Sequence, residues 1–210
     1  FITIDSKKTQ EHDYSQLNPN MIYSLYNHEL GSEDAYSRVL GPEHRDVIKQ
    51  AFNAMFQAKT ELKNKPNNIN IDKLEITWKE LKEEILKAHK PIKDLFFTGL
   101  GNKLQFEDSI IAESIMLQFA KMDVPALPVH DSFIIHHGFG TYGELEEAMR
   151  RAFHERFHRD IGIKRELVVQ QKSNITEKHE FASPSFDDIV NAENDYSQWR
   201  DRDDMWMSRK

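Results

Sequence analysis

Cysteine is absent from this 210-residue sequence, and so is any apolar run long enough to span a membrane. Without cysteine there is no disulfide bond and no thiolate metal ligand, which fits a reducing compartment. No signal peptide is visible either. The composition, with 39% hydrophobic and 30% charged residues, predicts a soluble globular protein with one substantial core, or one domain and a tail.

A net positive charge is also missing, because the formal net charge is −7. This argues against a protein that coats nucleic acid through bulk charge. Residues 176–210 hold 5 Lys or Arg against 9 Asp or Glu, and the rest of the chain holds 23 against 26. Any nucleic-acid surface must therefore be a local patch that acts through its position rather than through a global field.

The pattern of apolar residues predicts short strands at both ends of the folded region, a central block of helices and one hairpin. The predicted helices are 17–26, 33–40, 43–61, 72–89, 91–97, 106–122 and 144–157, and the predicted strands are 1–4, 9–13, the two arms around residues 130–131, and 166–170. This order predicts an α+β fold with an antiparallel sheet and helices packed on one side.

The most informative segment runs from Pro128 to Ile135, where His130 and Asp131 separate two apolar, β-prone runs. The pattern predicts a tight hairpin with a carboxylate at its tip. Such a carboxylate suits Mg²⁺, which prefers oxygen ligands in near-octahedral geometry. A His-Asp pair is also found in HD phosphohydrolases, but those enzymes carry their ligands on helices, and the β-prone flanks here favour the hairpin.

A cation site needs a second carboxylate, and Asp13 is the candidate. It begins the segment Asp13-Tyr14-Ser15-Gln16, where a strand-like stretch ends and a helix begins. Taken alone, Asp13 could instead be the N-cap of that helix. Together with Asp131, it favours metal ligation.

A third segment offers cations on a predicted helix. Arg45 and Lys49 lie four residues apart and share one helix face, which Asn53 and Phe56 continue. The two cations suit the triphosphate of a nucleotide, and the amide and the aromatic ring that follow them suit its sugar and base. The alternatives are a solvated charged face for the cations and a core position for Phe52 and Phe56.

These three segments resemble family A DNA polymerases and the related single-subunit, phage-type RNA polymerases. Motif A of those enzymes begins Asp-Tyr-Ser-Gln, as residues 13–16 do, and their motif B helix carries Arg and Lys four residues apart, as at 45 and 49. Their motif C is His-Asp in a hairpin, matched by residues 130 and 131. The motifs occur in the same order here and, with the following helix, span residues 13 to 157.

The resemblance implies a template-dependent nucleotidyltransferase, DNA or RNA polymerase-like, built on a palm-like sheet with reduced helical fingers. Asp13 and Asp131, helped by the backbone carbonyl of Tyr14, would hold two Mg²⁺ ions. Arg45 and Lys49 would neutralise the triphosphate. The remaining implied contacts are Asn53 and Phe56 with the nucleotide, Asn18 near the sugar, and His130 and Ser132 near the primer end. The implied partners are a nucleic acid primer-template and nucleoside triphosphates, in the cytoplasm of a bacterial or phage-infected cell and without a membrane.

Three positions depart from the DNA-polymerase pattern. Asn18 stands where those enzymes carry the Glu that excludes a ribose 2′-hydroxyl, and Ser132 follows His-Asp as in the RNA branch. Gln57-Ala58 stands where motif B normally ends Tyr-Gly. The first two departures predict a site that tolerates ribonucleotides.

The same resemblance divides the chain into a first palm part at 1–42, reduced fingers at 43–103, a second palm part at 104–173 and an acidic tail at 174–210. The tail is aromatic-rich and is predicted to be a docking peptide that binds a protein partner, or a disordered end. A rival function is a catalytically silent palm-like module that binds nucleic acid or a replication partner. His136 and His137 suggest a transition-metal site only weakly, because adjacent strand residues face opposite sides.

Overall fold

A computed structural model describes residue 4, residues 9–136 and residues 143–167 of the chain. Within these ranges the structure contains four strands and six α-helices. They are β1 (Thr9–Tyr14), α1 (Leu17–Leu25), α2 (Ser37–Leu40), α3 (Arg45–Gln57), α4 (Trp78–Ala88), α5 (Gly101–Ala120), β2 (Leu127–Val129), β3 (Ser132–His136), α6 (Glu144–Phe157) and β4 (Ile163–Leu167). Short 3₁₀ turns lie at Pro42–His44, Asp72–Leu74 and Lys90–Leu95.

The strands form one antiparallel sheet in the order β2–β3–β1–β4. Strands β2 and β3 make a hairpin in which Val129 lies opposite Ser132. Strand β3 also pairs with β1, and this register places Asp13 opposite Ser132 and His12 opposite Phe133. Every residue of β3 is buried, whereas β2 is exposed, as expected for an inner and an edge strand. The predicted α+β fold with an antiparallel sheet is confirmed.

The described chain divides into two compact units. The sheet unit comprises the described parts of Phe1–Asp13, Met116–Met149 and Ile163–Lys210, and the helical unit comprises Tyr14–Ile115 and Arg150–Gly162. No helix within the described part of the chain is both long and apolar enough to cross a membrane. The division into palm, fingers and tail segments stays a prediction, and the predicted tail lies outside the described residues.

The helical unit has an aromatic core built around α3. The apolar residues of this helix recur at helical spacing, so that one side is buried: Ile48, Ala51, Phe52, Met55 and Phe56. The Phe52 ring centroid lies 4.8 Å from that of Phe56 and 5.3 Å from that of Phe96. Rings at these separations bury a large apolar area and gain further from their tilted and edge-on contacts.

A histidine completes this core. His89 is fully buried, with its ring centroid 4.9 Å from that of Phe52. Its Nε2 donates to the carbonyl of Ala35 at 3.0 Å, and the hydroxyl of Tyr23 donates to its Nδ1 at 3.0 Å. Burial lowers the pKa of His89 to about 4, and the charge of Arg38 acts in the same direction. The ring is therefore a neutral, hydrogen-bonded part of the core.

Two helices begin several residues later than the sequence predicts. The helix predicted at 33–40 is helical only from Ser37, because Asp34 Oδ1 accepts from the backbone N–H groups of Tyr36 and Ser37 and makes a turn there. The helix predicted at 72–89 is interrupted, because Glu75 adopts a left-handed φ of 53°. Helix α4 begins only at Trp78, directly after its N-cap residue Thr77, which forms a capping box with Glu80.

Other boundaries shift by a few residues. Helix α3 ends at Gln57 because Ala58 is extended, and α5 begins at Gly101, ahead of the predicted start at 106. The segment predicted as a helix at 91–97 is the 3₁₀ turn Lys90–Leu95. The last strand lies at Ile163–Leu167, earlier than the predicted 166–170, whose final residues lie outside the described ones. The predicted strand 1–4, apart from Ile4, and the predicted turn 5–8 are also outside them.

Candidate carboxylate site on the sheet

The hairpin tip is a two-residue turn made of His130 and Asp131. Val129 and Ser132 pair on either side of it. His130 is exposed and has a φ of 54°, in the left-handed region that residues other than glycine rarely adopt. Asp131 is half-buried. A two-residue hairpin turn favours positive φ at its first position, so the strain at His130 follows from the tightness of the turn.

The strand register brings the two candidate carboxylates to the same end of neighbouring strands. Asp13 pairs with Ser132, the residue that directly follows Asp131. Asp13 is also half-buried. The N-cap alternative for Asp13 is wrong, because the residue at the N-cap position of α1 is Gln16, with a φ of 54°. Their ligation of a metal stays a prediction.

A hydrogen-bonded bridge crosses three strands just behind this turn. Ser132 Oγ lies 2.5 Å from Glu11 Oε1 on β1 and 2.9 Å from the carbonyl oxygen of Val129 on β2. Ser132 itself is 4% exposed. Glu11 and Asp13 are two residues apart and therefore point to the same face of β1. The carboxylate of Glu11 is thus held beside the residue that pairs with Asp13.

The opposite face of β1 carries polar groups into the interior. Gln10 is fully buried, and its Oε1 accepts from Nε and an Nη of Arg165 at 2.9 and 2.7 Å. His12 is also fully buried, and neither of its ring nitrogens has a hydrogen-bond partner among the described residues. Burial lowers the pKa of His12, and the Arg165 charge lowers it further. His12 is therefore a neutral core residue on the face opposite to Asp13.

The segment after Asp13 belongs to the helical unit and places Tyr14 in its core. The Tyr14 side chain is 1% exposed, with its ring centroid 6.1 Å from that of Phe153. Burial raises the pKa of Tyr14 far above its usual range, and the Asp108 charge adds to this. Because the phenol is packed away, any contribution of Tyr14 to a cation site rests on its backbone carbonyl, as predicted.

The cationic face of α3 is partly engaged by neighbouring residues. Arg45 Nε donates to Asp34 Oδ2 at 3.1 Å, and its guanidinium lies 5.2 Å from the centroid of the Tyr36 ring. Burial would raise the pKa of Asp34, but hydrogen bonds from Ser37 and Arg45 lower it overall. Lys49 is exposed. Of the two predicted phosphate contacts, Lys49 is the more accessible.

The other predicted nucleotide contacts differ in accessibility. Asn53 is half-buried, and its Oδ1 accepts from Asn18 Nδ2 at 3.4 Å. The structure thus brings the predicted sugar contact and the predicted nucleotide contact together. Phe56 is only 2% exposed and lies in the aromatic core with Phe52, which supports the core alternative for both residues. The role of this helix face in nucleotide binding stays a prediction.

The architecture has a counterpart among solved structures. It is similar to the polymerase domain of Pol1 from M. smegmatis, whose structure was solved in complex with a DNA primer-template and dNTP, with a TM-score of 0.50 and 13% sequence identity. The match covers 79% of this chain and 40% of that one. The fold is polymerase-like. No protein-family model and no curated protein sequence matches the chain.

The donor atoms near the turn are of the type that suits a hard cation. Asp13 and Asp131 offer carboxylate oxygens at one end of two paired strands, and oxygen is the ligand that Mg²⁺ prefers. Within the described residues, no group of three or more His, Asp or Glu side chains could by itself hold a metal ion. A cation bound by Asp13 and Asp131 would therefore need further ligands from backbone oxygen, water or substrate phosphate.

Two residues that contact the candidate site residues, Glu11 and Asp34, were not predicted from the sequence. Glu11 could have been noticed from the two-residue periodicity of β1, which places it on the Asp13 face. Its contact with Ser132 joins positions 121 residues apart and has no signal in local sequence. Asp34, the partner of Arg45, lies in a turn eleven residues away, beyond the three- or four-residue separation of neighbouring side chains on one helix.

Proposed function

We propose that the chain carries a template-dependent nucleotidyltransferase site of the polymerase type. The observation that carries this proposal is the strand register, in which Asp13 pairs with the residue that follows Asp131. Two carboxylates from neighbouring strands, one of them in a His-Asp hairpin turn, are what a polymerase-like site requires. The polymerase-like fold supports the same conclusion.

Asp13 and Asp131 would hold Mg²⁺, with the Tyr14 carbonyl as a further oxygen donor. When bound there, Mg²⁺ supplies Lewis-acid stabilisation of the charge that develops on the phosphoryl oxygens. The chain's own contribution is to fix the two carboxylates on paired strands, so that little reorganisation is needed when substrate binds. His130, exposed at the turn, would contact the primer end beside Ser132.

The helical unit would bind the nucleotide. Lys49 is exposed and would make a charge-assisted contact with the triphosphate. Arg45 would join it by exchanging its bond to Asp34 for a phosphate oxygen. Asn53, together with Asn18, would lie near the sugar. The finer assignment, to the family A DNA polymerases or the phage-type RNA polymerases, rests on the motifs at residues 13–16, 45–49 and 130–131.

Incorporation of a labelled nucleotide on a primed template tests the proposal. The complete chain is incubated with Mg²⁺, a primer-template and matched nucleotides, and extended primer is measured with and without a chelator. Template-dependent extension that the chelator abolishes is the expected result. The variant Glu113→Ala, which removes an exposed carboxylate from α5, is expected to extend primer as well as the native chain. No extension with either deoxy- or ribonucleotides contradicts the proposal.

One observation favours a second candidate, a silent palm-like module that binds nucleic acid. Arg45 is already paired with Asp34 and stacked over Tyr36, so one of the two predicted phosphate contacts has a structural partner. Such a module would retain primer-template in a binding assay and leave the primer unextended. The incorporation assay and a binding assay run in parallel therefore separate the two candidates.

A further inference from the structure

The bridge behind the hairpin turn joins three neighbouring strands through one side chain. Ser132 belongs to β3, its Oγ contacts Glu11 Oε1 on β1 at 2.5 Å, and it lies 2.9 Å from the Val129 carbonyl oxygen on β2. The hydroxyl carries a single hydrogen, and a carboxylate is the stronger acceptor. Beside the backbone pairing of Ser132 with Asp13, the bond to Glu11 is therefore the main side-chain link between the turn and β1 at this level.

The turn that this bridge supports contains one residue in an unfavourable backbone conformation. His130 holds a φ of 54° in a two-residue turn, a conformation that costs energy for a residue with a Cβ atom. Strain of this kind persists only where surrounding contacts determine the conformation. Asp131, which lies between the strained residue and Ser132, makes no hydrogen bond or ion pair of its own among the described residues. Its position therefore depends on what holds its neighbours.

The Glu11 carboxylate is well placed to hold the turn. It lies on the same face of β1 as Asp13, it is half-buried, and Ser132 is 4% exposed, so water competes weakly for this hydrogen bond. A hydrogen bond to an ionised carboxylate is about twice as strong as one between neutral groups. The bond therefore ties the strand that carries Asp13 to the turn that carries Asp131.

We propose that Glu11 is a positioning residue of the carboxylate site. It acts through Ser132 to keep Asp131 in register with Asp13, and it binds neither substrate nor cation itself. This inference rests on the proposed function for its catalytic consequence. Its structural part, that the bond between Glu11 and Ser132 holds the hairpin turn, stands independently of any activity.

The test compares Glu11→Ala, Glu11→Gln, Ser132→Ala and the double variant Glu11→Ala/Ser132→Ala. Gln keeps an acceptor oxygen at the same distance along the side chain and loses only the charge. In the incorporation assay, Glu11→Ala and Ser132→Ala are each expected to lower kcat by roughly tenfold to a hundredfold, because misplacement of a reacting group by about 1 Å has effects of this size. KM for the nucleotide should change little, and Glu11→Gln should restore most of kcat.

The double variant and a spectroscopic readout separate positioning from loss of structure. The double variant is expected to be no worse than the poorer single variant, because both single changes break the same bond. Amide hydrogen exchange in the segment from Val129 to Phe133 should be faster in Glu11→Ala than in the native chain. Exchange in α3 should be unchanged, which excludes general unfolding. Glu113→Ala serves as the control for loss of a carboxylate elsewhere.

Each result has a defined meaning. Equal defects in Glu11→Gln and Glu11→Ala would assign the effect to charge at the site and overturn positioning through Ser132. Additive defects in the double variant, or unchanged exchange at the turn, would overturn it as well. If the native chain extends no primer, the proposed function fails, and the exchange measurement alone then decides whether Glu11 holds the turn.

Discussion

The sheet unit and the helical unit hold their candidate residues by different means. In the sheet unit, backbone pairing sets Asp13 opposite Ser132, and the two-residue turn presents Asp131. In the helical unit, side-chain contacts dominate, since Arg45 is paired with Asp34 and Phe56 is packed in the aromatic core. The carboxylates are thus placed chiefly by strand pairing, which the bond between Glu11 and Ser132 supports, whereas the helical residues are placed by side-chain contacts.

Because of this difference, substitutions at the candidate residues should affect activity without stability in the sheet unit, and both together in the helical unit. A side chain that the backbone positions can be replaced by an isostere without loss of packing, so its substitution should affect function alone. A side chain that is itself part of a core or an ion pair contributes to stability, and its substitution should affect folding as well. We therefore expect substitutions to lower activity but not stability in the sheet unit, and to lower stability as well in the helical unit.

The largest expected effect is on activity, in the sheet unit. Asp131→Asn is expected to abolish Mg²⁺-dependent incorporation, a loss of roughly a thousandfold or more, because it removes a carboxylate proposed to hold the cation. The thermal midpoint of unfolding should stay within a few degrees of the native value, since Asp131 makes no hydrogen bond or ion pair of its own among the described residues. If activity survives in this variant, Asp131 is not needed for incorporation, and the role of the turn is structural only.

The next effect is on stability, in the helical unit. Phe52 is fully buried and contacts the rings of Phe56, Phe96 and His89. Phe52→Ala is expected to lower the free energy of unfolding by about 3–5 kcal/mol through lost burial and the cavity left behind. Denaturant titration measures this loss, and Lys73→Ala, an exposed change in the same unit, is the control. A loss below about 1 kcal/mol would show that this cluster is not the core.

The same contrast explains how much could be predicted from the sequence. The hairpin was predicted because its signals are local, with β-prone runs flanking a His-Asp pair, and α6 was predicted because its periodicity is regular. The interruption at Glu75 and the late start of α2 at Ser37 depend on single backbone angles and on one Asp34 side chain. Contacts that link distant positions, such as Glu11 with Ser132, arise only when the sheet has formed.

His89 in the core of the helical unit should make the stability of the protein depend on pH. The folded protein keeps His89 neutral down to a pKa of about 4, whereas the unfolded chain takes up a proton near 6.5. Between these values the unfolded state binds more protons, so stability falls as the pH is lowered from about 6.5 to 4. At about 1.4 kcal/mol per pH unit, this amounts to about 3 kcal/mol. Above pH 6.5 this residue contributes no pH dependence.

Comparison with a variant that cannot titrate isolates this contribution. His89→Gln can still accept from the Tyr23 hydroxyl and donate to the Ala35 carbonyl, although it loses the ring contacts. Its free energy of unfolding should depend on pH less steeply than that of the native chain between pH 6.5 and 4. Identical slopes would mean that His89 titrates alike in the folded and unfolded states, and the core assignment would then need another explanation.

A smaller effect is expected where the helical unit is accessible. Lys49→Ala should weaken nucleotide binding by about 1.5–3 kcal/mol, because it removes a charge-assisted phosphate contact. The free energy of unfolding should change by less than about 0.5 kcal/mol, since Lys49 is exposed. Titration with nucleotide measures the first quantity, with Lys73→Ala as the matched control. Unchanged affinity in Lys49→Ala would show that Lys49 does not bind the nucleotide and that the role of α3 is structural.

The smallest expected effect concerns the choice of sugar, where Asn18 contacts Asn53 at 3.4 Å within the helical unit. Asn is shorter than the Glu of the DNA branch, carries no charge and can both donate to and accept from a 2′-hydroxyl. We therefore expect the native chain to prefer dNTP over NTP by less than about a thousandfold, which corresponds to about 4 kcal/mol. Competition between matched dNTP and NTP on one template measures this ratio.

Two variants show whether Asn18 sets that ratio. Asn18→Glu introduces the longer, charged side chain and should raise the preference for dNTP by about tenfold, or about 1.4 kcal/mol. Asn18→Gln introduces similar length without charge and separates steric exclusion from electrostatic exclusion. A native preference of a thousandfold or more, left unchanged by both variants, would assign the sugar gate to another residue. Asn18 would then act only through its bond to Asn53, and the helical unit would be structural at this position as well.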